Sequence, residues 1–199
     1  MRAARYLPNL ITILRLASVP AAVWLIVAGH LTAAFWVFAA AGASDAVDGI
    51  LARLLHAHSA LGSYLDALAD KVLLVSTFVA LGFRGLVWGW LVLLVVCRDL
   101  LLVGFAVFMH SRGLQTRVEP LLISKVNTVA QILLAAVVMG QAGVMPVPPW
   151  LVAPLSWVVA ATTTVSAAAY LASWRRRVSA AEAEGTRPSS ERGGGRRRA

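Results

Sequence analysis

Six stretches of the chain read as nearly unbroken apolar runs, at about residues 8–28, 31–55, 61–83, 86–110, 120–141 and 149–174. Each is close to or above the roughly 20 residues that an α-helix needs to cross the hydrocarbon of a bilayer. Short breakers separate them: Gly29-His30, Gly82 to Gly85, Arg112-Gly113, and Gly143 to Pro149 with its three prolines. No two runs form a clear internal repeat. The pattern predicts an all-α integral membrane protein of six transmembrane helices, with a single membrane domain over 1–174 and a tail over 175–199.

Composition places the chain in the same class, with 59% hydrophobic and only 14% charged residues. The N-terminus is basic, but no small-residue cleavage site precedes the first apolar run, so that run is read as a retained helix. The single Cys97 has no partner for an internal disulfide and is expected to be a small buried hydrophobe.

Charge orients the helices. Lys and Arg near span ends favour the cytoplasmic side. One set of turns collects Arg2, Arg5, Arg53, Arg112, Arg117 and Arg175 to Arg177, and the opposite loops hold only Arg84. Both termini are therefore expected in the cytoplasm of a bacterial or equivalent cell membrane.

Much of the net charge of +9 lies in Arg175 to Ala199, a segment of Arg, Gly, Ser and Glu that cannot bury a core. It is expected to be a disordered tail whose arginines lie near anionic lipid headgroups, with no nucleic-acid partner.

Against this background four aspartates stand out, Asp45-x2-Asp48-Gly49-x2-Ala52-Arg53, then eight residues, then Gly62-x3-Asp66-x3-Asp70, in a chain with nine acidic residues in all. A carboxylate in or near hydrocarbon costs several kcal/mol unless a cation or a water-filled cavity compensates it. On a helix, positions 45, 48, 49 and 52 share one face, as do 62, 66 and 70 on the next. Two neighbouring helices can thus oppose four carboxylates at their cytoplasmic ends.

An all-oxygen set without His, Cys or Met suits hard divalent cations rather than zinc or copper. Gly49 and Ala52 leave room for a ligand beside the backbone, and Arg53 offers a forked donor matched to phosphate oxygens. The plainer alternative is that the acids pair with basic residues or lie in the membrane interface. It accounts for one or two acids at a helix end and accounts poorly for four in this arrangement.

The run resembles the signature of the CDP-alcohol phosphatidyltransferase family, D-x2-D-G-x2-A-R-x8-G-x3-D-x3-D, with all eight positions filled. The resemblance implies an integral-membrane enzyme, usually homodimeric, that displaces CMP from a CDP-linked lipid with an alcohol and uses two divalent cations, Mg²⁺ or Mn²⁺. It further implies that Asp45, Asp48 and Asp66 hold one metal, that Asp45, Asp66 and Asp70 reach the second, and that Asp70 is the base. Gly49, Ala52, Arg53, Ser59 and Gly62 match CDP-lipid positions. The segment Pro8-Asn9-x2-Thr12-x2-Arg15 resembles the family's start of span one, where Asn9 and Thr12 would approach the nucleotide. The same segment also makes an ordinary helix start, and Arg15 can merely snorkel.

For the acceptor, Arg98-Asp99, Ser124-Lys125-Val126-Asn127-Thr128 with Gln131, Ser59 to Ser63, and Thr162 to Thr164 resemble eukaryotic-type, CMP-forming cardiolipin synthases. Phosphatidylglycerophosphate synthases tend to carry Arg-Glu and Gly-Lys-x-Lys-Thr at the corresponding places. Asn127 in place of a second lysine leaves one fewer cation for an acceptor phosphate, which favours phosphatidylglycerol over the doubly charged glycerol 3-phosphate. Arg98 and Lys125 are the expected acceptor-phosphate contacts; alternatively Arg98 pairs with Asp99 and Lys125 caps its helix.

Ala67 departs from the proline common in close relatives, a change at the helix start rather than in a ligand. His56 and His58 lie in the turn near Arg53 and read as exposed loop histidines. Tyr6, Trp88, Trp90, Trp150 and Trp174 read as an interfacial belt. An intramembrane prenyltransferase, which also uses aspartate pairs, lacks the Gly49-x2-Ala52-Arg53 pattern. A divalent-cation transporter leaves Arg53 unexplained.

Overall fold

A computed structural model describes residues 7–55, 60–111, 122–142, 144 and 147–185, and side chains within 15–44, 69–104, 122–142, 144 and 147–175. Among the described residues the architecture is all-helical: α1 (Leu7–Val27), α2 (Leu31–Leu55), α3 (Ala60–Phe83), α4 (Gly89–Ser111), α5 (Leu122–Gly140) and α6 (Val152–Gly185), the last preceded by a 3₁₀ turn at Pro149–Leu151. The helices follow the six apolar runs closely.

Two of the expected breaks are built as the sequence implies. At the end of α1, Gly29 N–H donates to the Ile26 carbonyl (3.0 Å) and His30 N–H to that of Leu25 (2.8 Å). At the end of α3, Gly85 N–H donates to Gly82 (2.9 Å) and Leu86 N–H to Leu81 (3.0 Å). Both are Schellman stops, and both glycines take the left-handed backbone that the motif needs, with φ of +87° and +69°. Arg84, the lone basic residue of the opposite loops, donates through Nη1 to the Val27 carbonyl at 3.3 Å and so covers the end of α1.

The helices pack as a ring in the order α1, α2, α5, α6, α4, α3 and back to α1, with one further contact, α3 on α5, across it. That cross-contact divides the ring into two four-helix compartments. One comprises α1, α2, α5 and α3, with α2 and α3 at opposite corners; the other comprises α3, α4, α6 and α5. Helices α3 and α5 are the shared wall.

Polarity is inverted relative to a protein folded in water. Leu93, Leu100, Val126, Val129, Leu133, Val158 and Val165 face outward, whereas Arg15, Thr77, Arg98, Asp99, Asn127, Gln131, Thr163 and Ser166 are buried. Apolar faces of this extent on a polar-cored bundle match a hydrocarbon surround rather than water. Trp88, Trp90 and Trp157 cluster at one end, with ring centroids 5.5–5.8 Å apart, and all three are exposed. That is the behaviour of an interfacial belt.

The six expected spans are met in part, and two further expectations are corrected. Among the described residues two helical segments are long and apolar enough to cross a membrane, Leu122–Gly140 and Pro149–Arg175, and Arg15–Val27 and Leu31–Ser44 are shorter apolar helices. Cys97 is exposed rather than buried, since it shares the outward face of α4 with Leu93 and Leu100. The tail does not begin at residue 175: α6 continues to Gly185, carried by arginines, alanines and glutamates of high helix propensity and closed by a glycine. Residues 186–199 lie outside the described residues.

Gly29→Ala and Gly85→Ala should each lower stability by about 1 kcal/mol, the cost of placing a Cβ on a left-handed residue. Gly29→Ala should be the worse, because its new Cβ would also stand 3.2 Å from Arg84 Nη2. Thermal melting of the detergent-solubilised variants checks the order.

Candidate functional site

The four aspartates fall on two helices. Asp45 and Asp48 lie three positions apart on α2, and Asp66 and Asp70 one turn apart on α3. The ring order places these helices across the first compartment from each other, with α1 packed on both. The side chains of Asp45, Asp48, Asp66, Gly49, Ala52, Arg53, Gly62, Asn9 and Thr12 are outside those described, and Ser59, His56 and His58 lie outside the described residues altogether.

The fourth aspartate is well defined. Arg15 Nη1 of α1 donates to Asp70 Oδ1 at 2.9 Å, the arginine side chain fully buried and the aspartate side chain 43% exposed. Arg15 therefore does not snorkel away: its guanidinium is buried in the bundle beside a site residue, where a charge-assisted bond holds it.

A second polar group fills the other compartment. Arg98, only 1% exposed, donates through Nη1 to Asp99 Oδ1 (2.6 Å), through Nη2 to Ser124 Oγ (2.6 Å), and through Nη2 and Nε to Ser166 Oγ (2.8 and 3.3 Å). Lys71 Nζ, on α3, donates to the same Asp99 oxygen at 3.1 Å. One carboxylate thus gathers two cations, and the network ties α3, α4, α5 and α6 together. Gly82 lets α3 and α4 come this close: a Cβ there would meet Val92 Cγ2 at 2.6 Å.

All three guanidinium nitrogen atoms of Arg98 are engaged inside the protein, which is the pairing arrangement given above as the alternative to an acceptor contact. Lys125 is exposed and makes no ion pair among the described residues. Its position explains this, because Ser124, Asn127 and Gln131 share the inward face of α5 and Lys125 falls off it.

Asn127, fully buried, accepts hydrogen bonds at Oδ1 from the hydroxyls of Thr162 (2.9 Å) and Thr163 (2.7 Å). It joins α5 to α6. Lys71 and Ser166 were overlooked in the sequence; the available signal was a lysine directly after Asp70 in an apolar helix.

The donor set itself fits hard divalent cations, being carboxylate oxygens on facing helices with no soft ligand among them. No group of three or more His, Cys, Asp and Glu assembles among the described residues, where of the four aspartates only Asp70 has its side chain. A cleft of about 440 Å³ lined by Leu25, Gly29, His30, Leu31, Thr32, Ala33 and Ala142 lies at the α1–α2 turn, at the far end of the bundle from Asp45 and Asp70.

A sequence model of the family CDP-alcohol phosphatidyltransferase matches residues 5–168, which is most of the chain. The chain is 41% identical to the rice protein CDP-diacylglycerol–glycerol-3-phosphate 3-phosphatidyltransferase 1, chloroplastic, over 85% of this chain and 57% of that protein. It is 34% identical to human cardiolipin synthase (CMP-forming) over 65% of this chain and 48% of the relative, and 39% identical to a putative cardiolipin synthase of Mycobacterium bovis over 54% and 52%. The chain thus spans about half the length of the curated relatives it matches.

Arg98→Leu should destabilise the protein by about 1.5–3 kcal/mol, because it removes the charge-assisted bonds that hold Asp99, Ser124 and Ser166 together and leaves Lys71 as the partner of Asp99. The double variant Arg98→Leu/Asp99→Leu should be less damaging than the single. Denaturant unfolding in mixed micelles separates the two outcomes.

Proposed function

Because the chain belongs to the CDP-alcohol phosphatidyltransferase family, we propose that it transfers the phosphatidyl group of CDP-diacylglycerol to the hydroxyl of a glycerol-containing acceptor, releasing CMP. The observation that carries this reading is the complete eight-position aspartate signature lying within the matched residues, on the two helices that face each other across the first compartment.

The acceptor oxygen attacks the phosphorus of the phosphatidyl group and forms a new P–O bond. The bridging P–O bond of the diphosphate breaks, and CMP leaves with its electron pair. Asp70 takes the hydroxyl proton; Arg15 positions it for this, and its side chain is 43% exposed. Orientation and proximity supply much of the rate.

Arg53 offers its fork to the phosphate oxygens, while Gly49, Ala52 and Gly62 keep the backbone close to the nucleotide. Asn9, Thr12 and Ser59 complete the CDP-lipid contacts. Two divalent cations, Mg²⁺ or Mn²⁺, held by Asp45, Asp48, Asp66 and Asp70, would neutralise the diphosphate charge.

The favoured acceptor is phosphatidylglycerol, giving cardiolipin. Support comes from the resemblance of Arg98-Asp99, Ser124, Asn127 and the Thr162–Thr164 run to cardiolipin synthases, since these same residues interlock across α4, α5 and α6. A second reading, glycerol 3-phosphate as acceptor, is favoured by the rice relative, whose name specifies that reaction. In either case the six helices are taken as six spans of a homodimer, with the termini and the aspartates on the cytoplasmic side and Arg84 on the other.

The test is CMP release from CDP-diacylglycerol by purified protein in detergent with Mg²⁺ or Mn²⁺, offered each acceptor in turn. Asp70→Asn should lower turnover by about 100-fold or more, with the fold retained. No CMP release with any alcohol would sink the reading, and product with glycerol 3-phosphate alone would select the second acceptor.

A further inference from the structure

Lys71 follows Asp70 directly in the chain, yet the two side chains serve opposite sides of α3. Consecutive helical residues diverge by about 100°. Asp70 is drawn to Arg15 of α1 in the first compartment, and Lys71 to Asp99 of α4 in the second.

Among the described residues the charges of the Arg98 network do not balance. Lys71 and Arg98 bring two cations to the single carboxylate of Asp99, an excess of one positive charge. Arg98 and Asp99 are buried and engaged with each other and with two serines, so the excess resides on the one accessible member. That member is Lys71, whose side chain is 34% exposed and carries two N–H donors beyond the one given to Asp99. An uncompensated ammonium inside a low-dielectric bundle favours an anion beside it.

We infer that Lys71 is the residue that grips the phosphate of the acceptor, and that Asp99, clamped by Arg98, is the positioning residue that fixes its ammonium beside Asp70. The inference rests on the transferase reading above and takes over the role that the sequence suggested for Arg98. Three placements assign Lys71 to the acceptor rather than to the CDP-lipid. The CDP-lipid residues Gly49, Ala52 and Arg53 lie on α2, in the first compartment. Lys71 leans into the second, toward α4. Its one-residue separation from the proposed base would bring an acceptor hydroxyl within reach of Asp70 while the acceptor's phosphate is held next door. Phosphatidylglycerol and glycerol 3-phosphate both carry such a phosphate, so the contact serves either.

The experiment measures initial rates with full-length protein, varying acceptor and CDP-diacylglycerol separately, for wild type, Lys71→Met, Lys71→Arg and Asp99→Asn. Lys71→Met should raise the acceptor KM about tenfold, the loss of one charge-assisted hydrogen bond, while the KM for CDP-diacylglycerol stays unchanged. Asp99→Asn should raise the acceptor KM several-fold, and Lys71→Arg should recover most of the loss. Running both acceptors identifies which phosphate is bound.

The unmutated protein gives an independent readout. Saturating acceptor should slow acylation of Lys71 by an amine-reactive ester, read by mass spectrometry, and CDP-diacylglycerol alone should not. A Lys71→Met enzyme with both KM values unchanged, or one whose CDP-diacylglycerol KM rises, overturns the assignment, as does protection of Lys71 by CDP-diacylglycerol alone. Wild-type protein that releases no CMP from CDP-diacylglycerol with any acceptor would instead refute the transferase reading itself.

Discussion

The constraint that organises this bundle is that a polar group enclosed by apolar helices must find its partner inside the protein. The surface is spent on leucine and valine, so interior arginine, aspartate, asparagine and hydroxyls cannot turn to solvent and must bond to one another. Arg98 meets the constraint most fully, engaging Asp99, Ser124 and Ser166 from three helices. Asn127 meets it at Oδ1, with two threonines of α6, while its buried Nδ2 has no partner among the described residues. Such bonds specify which helix face meets which, in a setting where hydrophobic burial alone distinguishes faces poorly.

The division of the ring by the α3–α5 contact gives the chemistry its arrangement. The aspartates belong to one compartment and the Arg98 network to the other, with α3 contributing to both. The shared helix wall thus carries a carboxylate toward one compartment and an ammonium toward the other. The weak net contribution expected of any single buried ion pair does not diminish this role, since its value here lies in orientation.

Much of the plan was legible in the chain. The six helices follow from runs of apolar residues long enough to leave little ambiguity, and Gly29 and Gly85 marked real stops because the Schellman geometry demands their left-handed backbone. The aspartate spacing was readable because helical period fixes which residues share a face. What sequence could not supply was partnership. Arg98, Asn127 and Lys125 looked alike as polar residues near span ends, yet one is wholly engaged, one joins two helices and one is exposed. The choice among these depends on the angular position of each residue relative to helices distant in sequence, which no local pattern encodes. Lys71 escaped notice for the same reason, since its meaning lies in Asp99 of α4. The extent of α6 was misjudged because charge was taken as the end of order, whereas arginine, alanine and glutamate continue a helix well beyond an apolar segment.

The paired tethers on α3 carry a mechanical consequence. Arg15 pulls at residue 70 and Asp99 at residue 71, from directions about a quarter-turn or more apart around the helix axis. Together they act as opposed guy lines that set the azimuth of α3 within the bundle. A rotation of α3 about its axis disturbs both tethers at once, so the orientations of residues 70 and 71 are coupled through a single rigid element.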